Sequence, residues 1–145
     1  MSEKDINLDT INEVYRNASV ALLSISKVVD EAFEPELKKE ILSQYDGYEK
    51  FITEITCYMK EKGYEIKDVG AIKKVMMTSG IKMNTMMDDS EEHIAQIMVK
   101  GTVMGITELC KILNNPTCSD KKILDFAERL KTLEEQYEER LKKFL

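Results

Sequence analysis

Apolar residues along the first part of the chain recur at steps of four and three rather than in alternation. From Leu8 to Phe33 they fall at Ile11, Tyr15, Ala18, Leu22, Ile25, Val29 and Ala32, the spacing of a helix packed lengthwise on neighbours. A strand would alternate with period two. Pro35 then stands where a first helical turn tolerates its missing N–H, and Leu37, Ile41, Tyr45, Tyr48, Ile52, Ile55 and Met59 form a second stripe that Gly63 ends. The two segments predict an antiparallel helical hairpin.

Asp68 is the expected cap of a third helix, with Val69, Ile72, Met76, Met83 and Met87 on one side and a weak point at Ser79-Gly80. The acidic run Asp88-Asp89-Ser90-Glu91-Glu92 breaks the chain, and Asp89 and Glu92 have the spacing of a capping box. One bent helix across this break is the alternative. A fourth helix carries Ile94, Ile97, Met98, Met104, Leu109, Ile112 and Leu113 and stops at Asn114-Asn115-Pro116, where proline disfavours helix in the residue before it. The fifth, capped by Ser119, turns Ile123, Phe126, Ala127, Leu130, Leu133, Tyr137, Leu141 and Phe144 inward. Its outer face is expected to hold the pairs Asp125/Arg129, Glu138/Lys142 and Glu139/Lys143, together with the glutamates Glu134-Glu135 and Glu138-Glu139.

Four of these helices are about 24 to 28 residues long, roughly 36 to 42 Å, and match as the walls of a bundle. The third, of about 20 residues, is long enough to return the chain to the top, leaving the fourth helix parallel to the second. The expected fold is therefore all-α: a single domain over residues 1–145, built as a ferritin-like up-down four-helix bundle with an additional crossover helix, about five helices in all. A simple up-and-down order is the alternative. The stretch Ile81-Lys82-Met83-Asn84-Thr85-Met86-Met87-Asp88-Asp89-Ser90, followed by His93-Ile94-Ala95-Gln96-Ile97-Met98 and Gly101-Thr102-Val103-Met104-Gly105-Ile106, resembles uncharacterised bacterial ferritin-like bundles. The resemblance implies the fold and no particular activity.

A composition of 43% hydrophobic and 33% charged residues excludes a disordered chain, and no run of about 18 apolar residues suggests a membrane span. With 27 acidic against 21 basic residues the net charge is -6, which argues against nucleic acid as a partner. Cys57, Cys110 and Cys118 form no C-x-x-C pair, so neither a disulfide framework nor a thiolate zinc site is expected. The N-terminal Met1-Ser2-Glu3-Lys4-Asp5 lacks the apolar core of a secretory signal, and a cytoplasmic location is the expectation.

Di-iron bundles take a Glu from each of two helices and a Glu-x-x-His from each of the other two. This chain has one histidine, His93, with Ser90 three residues before it, and the inward mid-helix positions Leu22, Tyr48, Gly101 and Leu130 carry no carboxylate. No di-iron centre and no cofactor are expected. The sole histidine stands at a helix start among acids, phosphate-binding glycine motifs are missing, and Tyr45 and Tyr48 read as core or as the lining of a pocket, so the chain is expected not to be an enzyme. Gly101 and Gly105, four apart in an apolar helix, each cost about 1 kcal/mol against alanine and predict a close helix crossing there, with Gly105 or Gly101 against another backbone or a ring.

Seven of the nine methionines (Met76, Met77, Met83, Met86, Met87, Met98 and Met104) fall between residues 76 and 104. Thioethers fill irregular cores, suit adaptable interfaces and bind soft metals. Three readings follow: core filling; an apolar pad at Met76, Met83, Met86 and Met87 for a homodimer or protein partner; or a Cu(I) site using Met83, Met86 or Met87 with His93. The leading expectation is a non-catalytic interaction or self-association module. A ligand or soft-metal carrier on a ferritin-like bundle without di-iron ligands is the alternative.

Overall fold

The computed structural model describes residues 1–67 and 90–145. Those residues form four long helices and no strand: α1 (Glu3–Val28), α2 (Pro35–Lys62), α3 (Glu91–Asn114) and α4 (Lys121–Leu141). Short 3-10 turns at Val29–Glu31 and Lys142–Phe144 extend α1 and α4. No helix among the described residues is long and apolar enough to cross a membrane. The third predicted helix, with Asp68, Val69, Ile72, Met76, Met77, Met83, Met86 and Met87, lies outside the described residues, while α3 begins only at Glu91, after an extended Ser90.

Each helix begins and ends for a local reason. The Ser2 hydroxyl accepts from the Asp5 N–H at 3.1 Å, so α1 starts earlier than its apolar stripe alone indicates. Pro35 opens α2 and Gly63, at φ 76°, closes it in the left-handed conformation that favours glycine. Ser90 caps α3 by accepting from the His93 N–H at 3.2 Å, in place of the expected Asp89. At α4 the cap is Asp120, whose carboxylate accepts from the Lys122 N–H at 3.0 Å; the expected Ser119 instead uses its N–H and hydroxyl to meet Asn7 of α1.

Polar contacts fix the directions. Asn12 accepts from the Lys67 N–H and donates to the Glu65 carbonyl, which places the end of α2 beside the start of α1. Asn7 meets Ser119 and Asp120, which sets the start of α4 at that same end. Glu54 pairs with Arg129, and Glu40 with Arg140 at 2.9 Å, so α2 and α4 run antiparallel. Asn17 donates to the Gly105 carbonyl at 3.0 Å, while Val28 and Ile97 line one end of a shared cavity and Ile6 and Ile112 flank a cleft at the other, so α1 and α3 are also antiparallel. It follows that α2 and α3 point the same way.

The shared core contains Ile11, Val14 and Ala18 of α1, Leu37, Ile41, Tyr48, Phe51 and Ile55 of α2, Ile94 and Leu109 of α3, and Ile123, Phe126, Leu130 and Leu141 of α4. Burying each large aliphatic side chain contributes about 1.5–3 kcal/mol, which is what holds helices whose own propensity is marginal. Met104, expected inward, is 70% exposed, because α3 turns that side away from its partners. The surface pairs also differ: Arg129 leaves Asp125 for Glu54 and stacks near Phe51 and Phe126, and Lys142 meets Glu139 at 3.3 Å rather than Glu138.

Candidate functional site

The walls of the bundle part between α1 and α3. A cavity of about 260 Å³ opens there, with Val20, Ala21, Ile25 and Val28 on one side and Ile97, Met98, Gly101 and Gly105 on the other. Its inner end is polar: Gln44 and Tyr48 reach in from α2 and Glu134 from α4. Exposed Met104 and Glu108 stand on the rim.

Glu134 belongs at this inner end because of its register. On α4 the buried residues Ile123, Phe126, Ala127, Leu130, Glu134, Tyr137 and Leu141 follow one stripe, in which Glu134 lies four after Leu130 and three before Tyr137. The residue is 1% exposed, which overturns its expected place on the outer face beside Glu135. An inward carboxyl is therefore present on α4. Gln44 holds the corresponding place in the stripe of α2, between Ile41 and Tyr48.

The hydroxyl of Tyr48 approaches the Glu134 carboxyl at 3.3 Å, and the Tyr48 ring packs edge-on against Tyr137. Gln44 donates to Glu40 at 2.9 Å, and Glu40 is held in turn by Arg140. The Oε1 atom of Glu134 is buried without a hydrogen-bond partner among the described residues, and so is Oδ1 of Asn17. A backbone carbonyl only accepts, so the Asn17–Gly105 hydrogen bond directs the Asn17 amide nitrogen to Gly105 and leaves Oδ1 as the unfilled acceptor.

Burial pushes the Glu134 carboxyl up to about 8, against a smaller opposing effect of the Tyr48 hydrogen bond. At neutral pH it is mostly protonated. Burial also carries the Tyr48 hydroxyl well above its ordinary value, with the neighbouring Glu134 carboxyl adding to the rise. Neither group is poised as a nucleophile, and among the described residues the lining includes no Lys, Arg or His.

The two glycines of α3 behave differently from each other. A side chain at Gly105 would meet Glu134 Oε1 at 2.6 Å, so close packing is found there, against a carboxyl rather than a backbone or ring. At Gly101 nothing among the described residues lies within 4 Å of the place a Cβ would take, so of the two glycines it is Gly105 that packs closely. Gly101 instead leaves the mouth of the cavity open. Tyr48 is both core and lining, while Tyr45 is half-buried outside the cavity.

His93, at the first turn of α3, is half-buried, and Met83, Met86 and Met87 lie outside the described residues, as does Met76. Among the described residues no three His, Cys, Asp or Glu side chains gather as metal ligands would. Cys118 is buried, and burial raises its thiol, whereas Cys57 is exposed.

A second polar cluster ties the other end of the bundle. Asp120 accepts from Tyr58 at 2.7 Å and Tyr64 at 2.8 Å while capping α4. Burial alone would raise its carboxyl, but these hydrogen bonds and nearby Lys62 together lower it. The Tyr64 hydroxyl is pushed up to about 12, first by burial and then by its bond to Asp120. Every group here already serves the structure.

Comparison of the chain with family models, with curated proteins and with solved structures finds no match in any of the three.

Proposed function

We propose that this protein is a non-catalytic carrier of a small apolar molecule, seated between α1 and α3, on a bundle of ferritin-like order without di-iron ligands. The ferritin-like reading is supported by the parallel directions of α2 and α3, which a simple up-and-down bundle would make antiparallel. The carrier reading rests on one observation above all: a carboxyl 99% removed from solvent, with an unfilled oxygen, at the inner end of an apolar cavity. Ligand sites combine an apolar lining with a few polar groups that fix orientation. Since benzene fills a cavity of about 150 Å³, one of 260 Å³ takes about ten non-hydrogen atoms.

Butylbenzene, which has about that size, is a suitable probe for saturation-transfer NMR against the wild type and Gly101→Leu. The side chain of Gly101→Leu enters the mouth without meeting an atom of the described residues at its Cβ, so the helix is kept while the entrance narrows. Binding to the wild type, weakened at least about tenfold by Gly101→Leu with unchanged helical circular dichroism, is the expected outcome. Equal binding by both proteins, or none by the wild type, contradicts the reading.

A further inference from the structure

We infer that the cavity takes an apolar amine, whose nitrogen is held as a cation between Glu134 Oε1 and Asn17 Oδ1 while its hydrocarbon part lies along Val20, Ala21, Ile97 and Met98. The inference rests on the carrier reading and adds the class of ligand. Both unfilled polar atoms on the lining are oxygens, and both flank Gly105: Asn17 bonds to the Gly105 carbonyl, and Glu134 fills the space beside its Cα. Asn17 Oδ1 only accepts, and Glu134 Oε1 accepts once its proton has left. An ammonium group offers up to three N–H donors, enough for both, whereas an alcohol offers one.

Charge agrees with this assignment. The two ionisable carboxyls on the lining are Glu134 at the inner end and Glu108 at the rim, and no cationic side chain lines the cavity among the described residues. A carboxylate ligand would face both acids with no counter-charge. A neutral hydrocarbon would leave the protonated Glu134 and Asn17 as they are, with the buried polar atoms Oε1 and Oδ1 unfilled, an arrangement that disfavours the empty and the hydrocarbon-filled states alike. The free carboxyl is protonated, so entry of an ammonium ion expels that proton: O–H of Glu134 breaks, the proton passes to solvent, and the N–H donors of the ligand take its place.

Phenylpropylamine, phenylpropanol and butylbenzene are matched probes, each with one phenyl ring and an alkyl arm of equal length. Calorimetric titration of the wild type and Glu134→Gln at pH 7, in two buffers of different ionisation enthalpy, reads both affinity and proton release. The amine is expected to bind the wild type at least about tenfold tighter than the alcohol and to release close to one proton, with both effects lost in Glu134→Gln. Equal affinities for amine and alcohol overturn the amine assignment and leave the carrier reading intact. An amine preference that persists in folded Glu134→Gln overturns the role given to Glu134. Should that variant not fold, the wild type still decides, because amine binding without proton release contradicts the proposal. No binding of any of the three removes both readings.

Discussion

Glu134 Oε1 occupies the space that a side chain on Gly105 would need: a Cβ there would stand 2.6 Å from it, with the rest of the carboxyl at 3.2 Å. The glycine of α3 and the acid of α4 are therefore one feature, a slot and the group that fills it. Gly105→Ala must push the carboxyl off its place beside Tyr48. The gain in helix propensity, about 1 kcal/mol, is smaller than the cost of overpacking, and a net loss of about 1–2 kcal/mol in urea unfolding is expected. Gly101→Ala, with nothing near it among the described residues, should gain up to about 1 kcal/mol. The same substitution four residues apart thus changes sign.

Stability should fall as pH rises through the neutral range. The folded carboxyl of Glu134 sits near 8 and its unfolded value near 4.5, so the folded state holds more protons between those limits. The burial penalty is absent below about pH 4.5, grows above it and is complete above about pH 8, on the order of 4–5 kcal/mol in all. Among the described residues the groups facing this carboxyl are Tyr48 and Gln44 from α2, Asn17 from α1, Gly105 and rim Glu108 from α3, and Tyr137 on its own helix, none of them a cation. Urea midpoints measured from pH 5 to 9 should decline in the wild type and stay nearly level in Glu134→Gln, with Glu134→Gln the more stable protein at pH 9.

At the opposite end of the bundle the sign reverses. Asp120 is lowered in the folded state, so its contribution is present above about pH 4 and lost as pH falls through its folded value. Asp120→Ala removes a helix cap and the acceptor for two tyrosine hydroxyls, and a loss of about 2–4 kcal/mol is expected at pH 7. Thermal unfolding of Asp120→Ala beside Tyr58→Phe separates the cap from the aromatic bond, and the alanine variant should lose clearly more.

Gly47 of α2 leaves room for the Tyr137 hydroxyl, which a Cβ would approach at 1.8 Å. Gly47→Ala should cost about 2–3 kcal/mol. Combined with Tyr137→Phe it should recover much of that loss, giving a coupling of at least about 1 kcal/mol in a double-mutant cycle. Additive losses would mean that the two residues do not meet.

The stripes of α1 and α2, the stops at Gly63 and Pro116, and the inward set Ile123, Phe126, Leu130 and Tyr137 were legible because apolar periodicity reports packing directly. The cavity was not. Glu134 shares the register of Leu130 and Tyr137, and Gln44 that of Ile41 and Tyr48, but a charged residue next to Glu135 reads as solvated until the neighbouring helix is in place. The usable signal was a polar residue inside the four-and-three spacing, coupled to an unexplained glycine on another helix. Gly101 and Gly105 looked alike because spacing along one helix does not say which faces a partner. Met104 was misplaced for the same reason: α3 opposes only part of its circumference to α1 and α4, leaving the remainder at the mouth of the cavity.

The central claim is that Glu134 is a neutral acid facing an apolar cavity. Carbon-13 NMR of the side-chain carboxyls, followed from pH 4 to 10 with Glu134→Gln used to assign the resonance, tests it most directly. A midpoint near 8 is the predicted result. A midpoint near 4.5, the value of an ordinary glutamate, would contradict the account.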